Sequence, residues 1–331
     1  MQFHLTPEQV SIQDAVRGTL ADNWPMERLH QFADNDQDFD PQSWNALMEL
    51  GLAGVLVPDS GMGLVEAALI CEVAGEAAAS GPLIAQLLTV GAVAASDNED
   101  AKAFLEGLTA GTTVATLAID SEFVQAASSA ALFLARDEAG GLRLIEAGEG
   151  VTIEPVASTD RSRPVAKVSF GAVKSHVLFP AGHPMVDRIR DAALVLIAAD
   201  ALGGAQHCTD VSVGYAKERV QFDQPIGRFQ GLKHQLAHMA LDVEPARAFV
   251  WYAAYAWDAG LEDAPRAAAM AKAHLSEVYT RSTRAAIAAH GGIGYTWEYG
   301  LNYWFRRSVA NRAWLGSPAE QRQRAAELAG W

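Results

Sequence analysis

The feature that most limits the fold of this sequence is a short β-rich block between two long helical ones. Residues 1–112 are mostly helical in pattern, and Thr6 with Gln9 gives the spacing of a capping box at a helix start. Residues 113–183 consist of short β-branched runs, and residues 184–331 return to helical spacing. The sequence therefore predicts a mainly α protein with an N-terminal helical domain, a middle β domain and a C-terminal helical domain.

The middle block contains four β-rich stretches separated by turn residues: TTVATLAI, ALFLARDEAGGLRLIEAG, VTIEPVAS and AKVSFGAVKSHVLF. The second stretch predicts a hairpin that turns at residues 139–141, because glycines interrupt two runs of apolar residues there. A block of this length and pattern predicts about four to six strands.

Composition excludes several classes of function. The 331 residues are 50% apolar and carry a formal net charge of −15, which argues against binding to a nucleic-acid backbone. The sequence has no run of eighteen apolar residues, so it predicts no membrane span, and its first residues lack the apolar core of an export signal. Cys71 and Cys208 have no metal or redox spacing and fit a reducing compartment. We expect a cytoplasmic protein.

The stretch HGGIGYTWEYG, residues 290–300, concentrates three glycines in four positions. It is not a GxGxxG motif, and it follows a predicted helix (about 266–290) instead of a strand, so a doubly wound nucleotide fold is poorly supported. The glycines can end that helix in the left-handed conformation, or their bare backbone can admit a flat or phosphorylated ligand. The residues alone leave both interpretations open.

A second unusual stretch is AKERVQFDQPIGRFQGLKHQ, residues 216–235. A helix carrying Lys217 and Arg219 breaks at Phe222–Gly227, and a new helix is predicted to begin near Arg228. An arginine, an aromatic ring and an amide at such a corner can hold a phosphate and stack on a planar ring. Ordinary packing of a helix corner explains the same composition equally well.

Two further candidate sites are a row of polar residues on one predicted helix and an isolated carboxylate on another. His234, His238 and Asp242 have the i, i+4, i+8 spacing of one helix face, but no HExxH glutamate or third ligand accompanies them, so we expect a solvated face and no metal. Asp200 stands out among apolar neighbours in ALVLIAADALGGA. If buried it would have a raised pKa and could act as a base, or it pairs with a neighbouring helix.

Taken together, YAKERVQFDQPIGRFQGLKHQLAHMALD (215–242) and AAHGGIGYTWEYGLNYWFRRS (288–308) resemble the acyl-CoA dehydrogenase family. This resemblance implies an N-terminal helical domain (1–112), a middle β-barrel (113–183), here shortened, and a C-terminal four-helix bundle (184–331). Members of the family use FAD to take a hydride from the β-carbon of an acyl-CoA, while a glutamate removes the α-proton.

The resemblance also implies a contact between subunits, because residues of one subunit reach the FAD of its neighbour. By that pattern Arg219 would bind the pyrophosphate, while Phe222 and Gln230 would lie near the adenosine part. The glycines of the turn would lie along the same dinucleotide: Gly291, Gly292 and Gly294.

Other family positions have changed in this sequence. The usual catalytic glutamate corresponds to Leu315, and the alternative position early in the first bundle helix corresponds to Ala193 or Leu194. None of these side chains can remove a proton. The Thr-Glu-Pro and Gly-Ser-Asp residues that hold a subunit's own flavin ring are missing from ATLAIDSEFVQAASS, and Ala288 replaces the glutamine usually found before the glycines.

Residues that serve a subunit's own active site are thus lost, while those that reach a partner's site remain. We expect a supporting subunit of a heteromeric acyl-CoA dehydrogenase, paired with a homologous catalytic subunit that binds acyl-CoA, as in the α2β2 enzymes that shorten steroid side chains. A homomeric enzyme with a displaced base, Asp200 or Glu298, is one alternative, although Glu298 can instead pair with Arg306 or Arg307. A flavin-free binding or scaffold protein of the same fold is the other.

Overall fold

The structure is a computed structural model that describes residues 4–35 and 37–331. Within residues 4–35 and 37–112 the chain is helical, with a 3-10 turn at Leu52–Leu56. The helices are α1 (Pro7–Asn23), α2 (Met26–Ala33), α3 (Pro41–Glu49), α4 (Leu64–Glu76), α5 (Leu83–Ala95), α6 (Glu99–Lys102) and α7 (Leu105–Thr109). The predicted capping box is confirmed, since the Gln9 amide donates to Thr6 Oγ1 at 3.2 Å and the Thr6 amide to Gln9 Oε1 at 3.0 Å.

The middle block folds into two sheets. Its strands are β1 (Ala115–Ala118), β2 (Phe123–Gln125), β3 (Leu132–Arg136), β4 (Leu142–Glu146), β5 (Val151–Val156), β6 (Val165–Phe170) and β7 (Ser175–Phe179). One sheet has the order β1-β3-β4-β7 and the other β2-β6-β5, with only the β1–β3 pair parallel. The predicted hairpin is confirmed as β3–β4, but the predicted strand number was too low, because strands as short as β2 give no alternating pattern.

Alternation along β3 explains how this domain attaches to the helices. Leu132 and Leu134 point into the main core, which the helices share, whereas Phe133 and Ala135 point into a second core between the two sheets. Because successive side chains of a strand face opposite sides, the four-stranded sheet is covered on both faces.

The C-terminal block is a helical bundle built around one long buried helix. Its helices are α8 (Pro184–Glu218), α9 (Gln230–Asp258), α10 (Ala264–His290), α11 (Leu301–Ala313) and α12 (Pro318–Leu328). A two-strand hairpin, β8 (Val220–Gln221) and β9 (Gln224–Pro225), connects α8 to α9. In the described part of the chain one helix, α8, is long and apolar enough to cross a membrane, but 89% of its most apolar window is buried within the protein.

Helices α4 and α8 touch backbone to backbone, which joins the N-terminal helices to the bundle. A Cβ atom added at Gly203 would lie 1.8 Å from the Glu72 carbonyl oxygen, and one added at Gly75 would lie 2.1 Å from that of Asp200. Only glycine fits at such a distance. The result is one continuous core across both helical blocks.

Candidate functional site

The corner between α8 and α9 presents its polar and aromatic side chains to the surface. Phe222 and Asp223 both have positive φ, 53° and 61°, in the loop of the β8–β9 hairpin. A 3-10 turn over Ile226–Arg228 follows, and α9 begins at Gln230, two residues after Arg228 and close to the predicted start. The close approach of Gly227 to α8 makes this turn possible, since a Cβ there would lie 2.8 Å from the Ala216 carbonyl oxygen.

Three side chains at this corner point outward. Phe222 is 86% exposed and contacts Phe229 edge-on, with ring centroids 6.0 Å apart. Arg219 and Gln230 are also exposed, and among the described residues neither side chain makes a hydrogen bond or ion pair. Burial against a neighbouring helix therefore does not account for Phe222, and the corner offers a cation, a ring and an amide to a ligand.

The glycine turn has one position that local structure does not explain. Helix α10 ends at His290 as predicted. Gly291 follows it with φ 63° and ψ −140°, a positive-φ conformation that glycine adopts, but not the left-handed helical one that was predicted. Gly294 is needed for packing, because a Cβ there would lie 2.7 Å from the Ile287 carbonyl oxygen. At Gly292 a Cβ would meet no atom within 4 Å. Its bare backbone faces open space, which a ligand can approach.

An aromatic stack holds the corner and the glycine turn together. The Tyr215 ring, one turn before Arg219, stacks on His290 with centroids 4.4 Å apart, and Tyr299 packs against both rings. His290 Nδ1 donates to the Ala286 carbonyl oxygen at 2.7 Å, and burial lowers the pKa of the ring. Burial therefore favours the neutral form of His290, and the stack brings the two sequence motifs together.

This surface fits a dinucleotide chemically. An exposed arginine can bind a pyrophosphate, exposed aromatic rings can stack on a planar base, and backbone amides at a helix start attract phosphate. Arg219 supplies the cation, and Gln230 is the first residue of α9. The rings are those of Phe222 and of Tyr295, which is 80% exposed. Gly292 adds a backbone segment without a side chain.

A buried ion network occupies the junction between α8, α11 and the middle domain. The Asp200 carboxylate accepts hydrogen bonds from both Arg307 Nε, at 3.1 Å, and Asn311 Nδ2, at 2.6 Å. Arg307 also bonds Asp200 through a second nitrogen, and Arg163 Nη1 lies 3.6 Å from the carboxylate. All four side chains are buried.

The network extends to the segment before β6. Asp160 accepts hydrogen bonds from Arg163 Nε at 3.1 Å and from the Ser162 hydroxyl at 2.6 Å. Arg307 in turn donates to the Ser162 hydroxyl at 3.0 Å and to the Ala79 carbonyl oxygen at 2.9 Å. The ion network thus links the middle domain to both helical blocks.

This arrangement corrects the expectation that Asp200 has a raised pKa. Burial alone would raise the pKa of this carboxyl, but the guanidinium groups of Arg307 and Arg163 outweigh burial, and the pKa is lowered. The second interpretation, pairing with another helix, is the observed one. A carboxylate that accepts from several donors and has a lowered pKa is a poor proton acceptor.

Glu298, the other candidate base, does not pair as expected. Among the described residues it forms no ion pair, and its side chain is exposed. Arg307 binds Asp200, while Arg306 lies over the Trp297 ring, 5.5 Å from its centroid. The expected pairing of Glu298 with either arginine is therefore wrong.

Both family positions for the base are buried in the core. Leu315 is 5% exposed and Ala193, on α8, is inaccessible to solvent. The loop of Leu315 is held by Lys272 Nζ, which donates to the Gly316 carbonyl oxygen at 3.1 Å, and by Gln321 Nε2, which donates to the Leu315 carbonyl oxygen at 2.7 Å. These contacts fix the loop of Leu315, the residue at the position that the resemblance gives to the base.

The cleft beside the ion network has almost no free volume. A cavity of about 20 Å³ remains between α4, the start of α5 and the side chains of Arg163, Asp200 and Arg307. That volume holds about one water molecule. A cavity of this size admits neither a flavin ring nor an acyl chain.

The other candidate residues named from the sequence are paired with another side chain, exposed to solvent or buried in the core. Asp242 pairs with Arg281 at 3.0 Å, and His234 and His238 are exposed. In residues 4–35 and 37–331 no group of three metal-ligating side chains is found. Cys71 and Cys208 are free and buried, and burial raises the pKa of both thiols.

Sequence reasoning missed the partners of Asp200. A signal was present, since a carboxylate within an apolar helix requires a buried cation from elsewhere in the chain. The DRSR run that contains Arg163 and the RR pair that contains Arg307 were the available sources.

Known families and proteins match most of the chain. Residues 6–112 match the family model of the acyl-CoA dehydrogenase N-terminal domain, and residues 192–329 match that of the C-terminal domain. Acyl-CoA dehydrogenase IpdE2 of Mycolicibacterium smegmatis is 30% identical over 325 residues, covering 97% of this chain and 98% of that protein. IpdE2 of Mycobacterium tuberculosis is 29% identical over 323 residues, covering 96% of each.

Solved structures share the fold. The Tcur3481–Tcur3483 steroid ACAD, in a variant form, superposes with a TM-score of 0.88 at 26% identity, covering 98% of each chain. The ChsE4–ChsE5 complex from Mycobacterium tuberculosis superposes with a TM-score of 0.89 at 21% identity, covering 100% of this chain and 99% of the other. With both helical domains matched and a relative aligned over nearly its whole length, the chain belongs to the acyl-CoA dehydrogenase family.

Proposed function

We propose that this chain is the supporting subunit of a heteromeric, FAD-dependent acyl-CoA dehydrogenase. The observation that carries the proposal is the contrast between its two sites. Where the resemblance puts the catalytic base, this chain has Leu315 and Ala193, both buried in the core. The corner around Arg219 and Phe222 is open and chemically suited to a dinucleotide.

Each residue of the corner and of the glycine turn has a definite role in this proposal. Arg219 neutralises the pyrophosphate of the partner's FAD, and Phe222 stacks near the adenosine part. Gln230 hydrogen-bonds the same region from the start of α9, while Gly291, Gly292 and Gly294 bring the backbone alongside. FAD, when bound, supplies the acceptor for the hydride that leaves the β-carbon of the acyl thioester.

The partner in this proposal is a homologous subunit with a glutamate base and an intact flavin-ring pocket. A symmetric homomer repeats the same deficiencies in every copy, since Leu315 and Ala193 recur in each subunit. The likeness to a steroid ACAD named for two gene products, and to the ChsE4–ChsE5 complex, supports a heteromer. We propose α2β2 stoichiometry and a steroid-derived acyl-CoA as the substrate of the complex.

We propose three domains, 1–112, 113–183 and 184–331. The gaps between α7 and β1, and between β7 and α8, support these boundaries. We propose the cytoplasm as the location, which the free, buried thiols of Cys71 and Cys208 support.

The test measures how much FAD is retained by the complex that this chain forms when it is expressed together with the homologous subunit. Arg219→Ala should weaken FAD binding by about tenfold, because it removes a charge-assisted contact to the pyrophosphate. Arg266→Ala is the matched control, since Arg266 is exposed near the opposite end of α10 from the glycine turn. Equal FAD retention by the Arg219 variant, the control and the unaltered complex would contradict the proposal.

A further inference from the structure

A second cavity, partly open to solvent, lies between α1, α2, α4, α8 and α11, and its lining contains none of the residues of the corner or of the glycine turn. Its volume is about 260 Å³. An apolar cavity of about 150 Å³ can bind benzene, and drug-sized sites begin near 300 Å³. Its walls are mainly apolar: Leu20, Trp24, Met26, Leu29, Val73 and Trp304. The size and lining suit a compact molecule of two fused rings.

Two polar side chains in this cavity wall have no hydrogen-bond partner among the described residues. Trp24 is 4% exposed, and its indole Nε1 is buried and unpaired. His207 also makes no hydrogen bond there, and burial lowers the pKa of its ring to about 4. A neutral imidazole offers one donor and one acceptor. Buried polar groups nearly always have partners, so the unpaired Trp24 Nε1 points to a ligand or to water. The half-buried His207 offers its ring nitrogens to a molecule in the same cavity.

The position of His207 is fixed by its neighbour. Its ring stacks on Trp304 with centroids 3.9 Å apart and planes 9° from parallel. Trp304 Nε1 donates to the carbonyl oxygens of Gly75 and Glu76, each at 3.2 Å, which anchors the stack on the end of α4. The imidazole edge is therefore held in one orientation at the cavity wall.

The charges at the cavity rim disfavour the binding of an anion. Arg17 lies at the rim, and its guanidinium binds Glu76 at 3.1 Å and Asp14 at 3.1 Å. Two carboxylates around one guanidinium leave a net negative charge, so an anionic ligand would be repelled. An uncharged molecule meets no such barrier.

We propose that this cavity is a binding site for a small, uncharged, two-ring alcohol, whose hydroxyl group hydrogen-bonds His207 while its rings fill the space beside Trp24 and Trp304. The inference does not depend on the flavin surface, because none of the cavity residues belongs to it.

The test uses 2-naphthol as the probe and calorimetric titration of the full chain. We expect saturable binding of about one molecule per chain, and binding of naphthalene-2-carboxylate that is at least about tenfold weaker. Ala77→Leu fills the cavity from the end of α4 and should weaken 2-naphthol binding by about tenfold or more. Ala103→Leu, at an exposed position outside the cavity, is the matched control and should bind like the unaltered chain.

Two further variants keep the proposal testable. Ala21→Leu fills the same cavity from α1 and replaces Ala77→Leu if that variant fails to fold. His207→Phe keeps a ring on Trp304 but removes the nitrogens that bind the hydroxyl group. The unaltered chain should therefore bind 2-naphthol more tightly than naphthalene, and this variant should bind the two equally. Absence of 2-naphthol binding to the unaltered chain, or undiminished binding to a folded filled variant, overturns the proposal.

Discussion

Replacing Asp200 by asparagine tests whether the buried ion network stabilises the fold. The change keeps the size of the side chain and its contact with Asn311, but it removes the charge that faces Arg307 and Arg163. Removal of one partner from a buried ion pair costs about 3–5 kcal/mol, because the remaining charge stays uncompensated. Arg163 keeps Asp160 as its partner, so the charge left uncompensated is mainly that of Arg307.

The pH dependence of this effect has a definite sign. The folded-state pKa of Asp200 is lowered, so its contribution is complete above the unfolded pKa of about 3.9 and is lost as the pH falls through the folded value. The stability difference between the unaltered chain and Asp200→Asn should therefore be constant from about pH 5 to 8. It should shrink below about pH 4.

The assay is urea unfolding followed by circular dichroism, with Asp242→Asn as the control. Asp242 pairs with Arg281 at the surface, and an exposed ion pair contributes at most about 1 kcal/mol. A loss below about 1 kcal/mol for Asp200→Asn would refute the structural role. Unchanged stability combined with lost turnover of the complex would instead support Asp200 as a base.

Three further predictions concern the glycine turn and the loop of Leu315. Gly294→Ala should destabilise the chain by about 1–3 kcal/mol in urea unfolding because the site is already tightly packed, whereas Gly292→Ala should leave unfolding unchanged and reduce FAD retention by the complex. Burial lowers the pKa of Lys272 to about 7, so above that pH the unfolded chain binds more protons than the folded chain. The free energy of unfolding of the unaltered chain, measured against that of Lys272→Met by urea titration, should therefore rise between about pH 7 and 10. Leu315→Glu should give the lone chain no acyl-CoA oxidation. It should also lower the stability of the chain in urea unfolding, because a carboxyl group is placed in the apolar core; dehydrogenase turnover by this variant alone would contradict the supporting role.

Features that depend on local pattern could be predicted from the sequence. The end of α10 could be predicted because glycines directly follow a run of residues at helical spacing. The β3–β4 hairpin could be predicted because a glycine turn separates two apolar runs. The capping box at Thr6 needs only residues three apart. Each of these depends on contacts within a few residues along the chain.

Features that depend on distant contacts could not be predicted. Asp200 and Arg307 are 107 residues apart in sequence, and nothing near Asp200 indicates which cation meets it. The direction of its pKa was therefore misjudged, because burial could be read from the neighbours and pairing could not. The exposure of Phe222 was equally hidden, since it depends on the left-handed hairpin loop that turns the ring away from the bundle.

The most direct test of the central claim is the amount of FAD bound by the chain alone and by its complex with the homologous subunit. Absorbance in the flavin bands, referred to protein concentration, gives this quantity for both preparations. We expect the lone chain to be colourless and the complex to carry about one FAD per pair of subunits, with acyl-CoA oxidation in the complex only. Stoichiometric FAD and full acyl-CoA oxidation by the lone chain would contradict it.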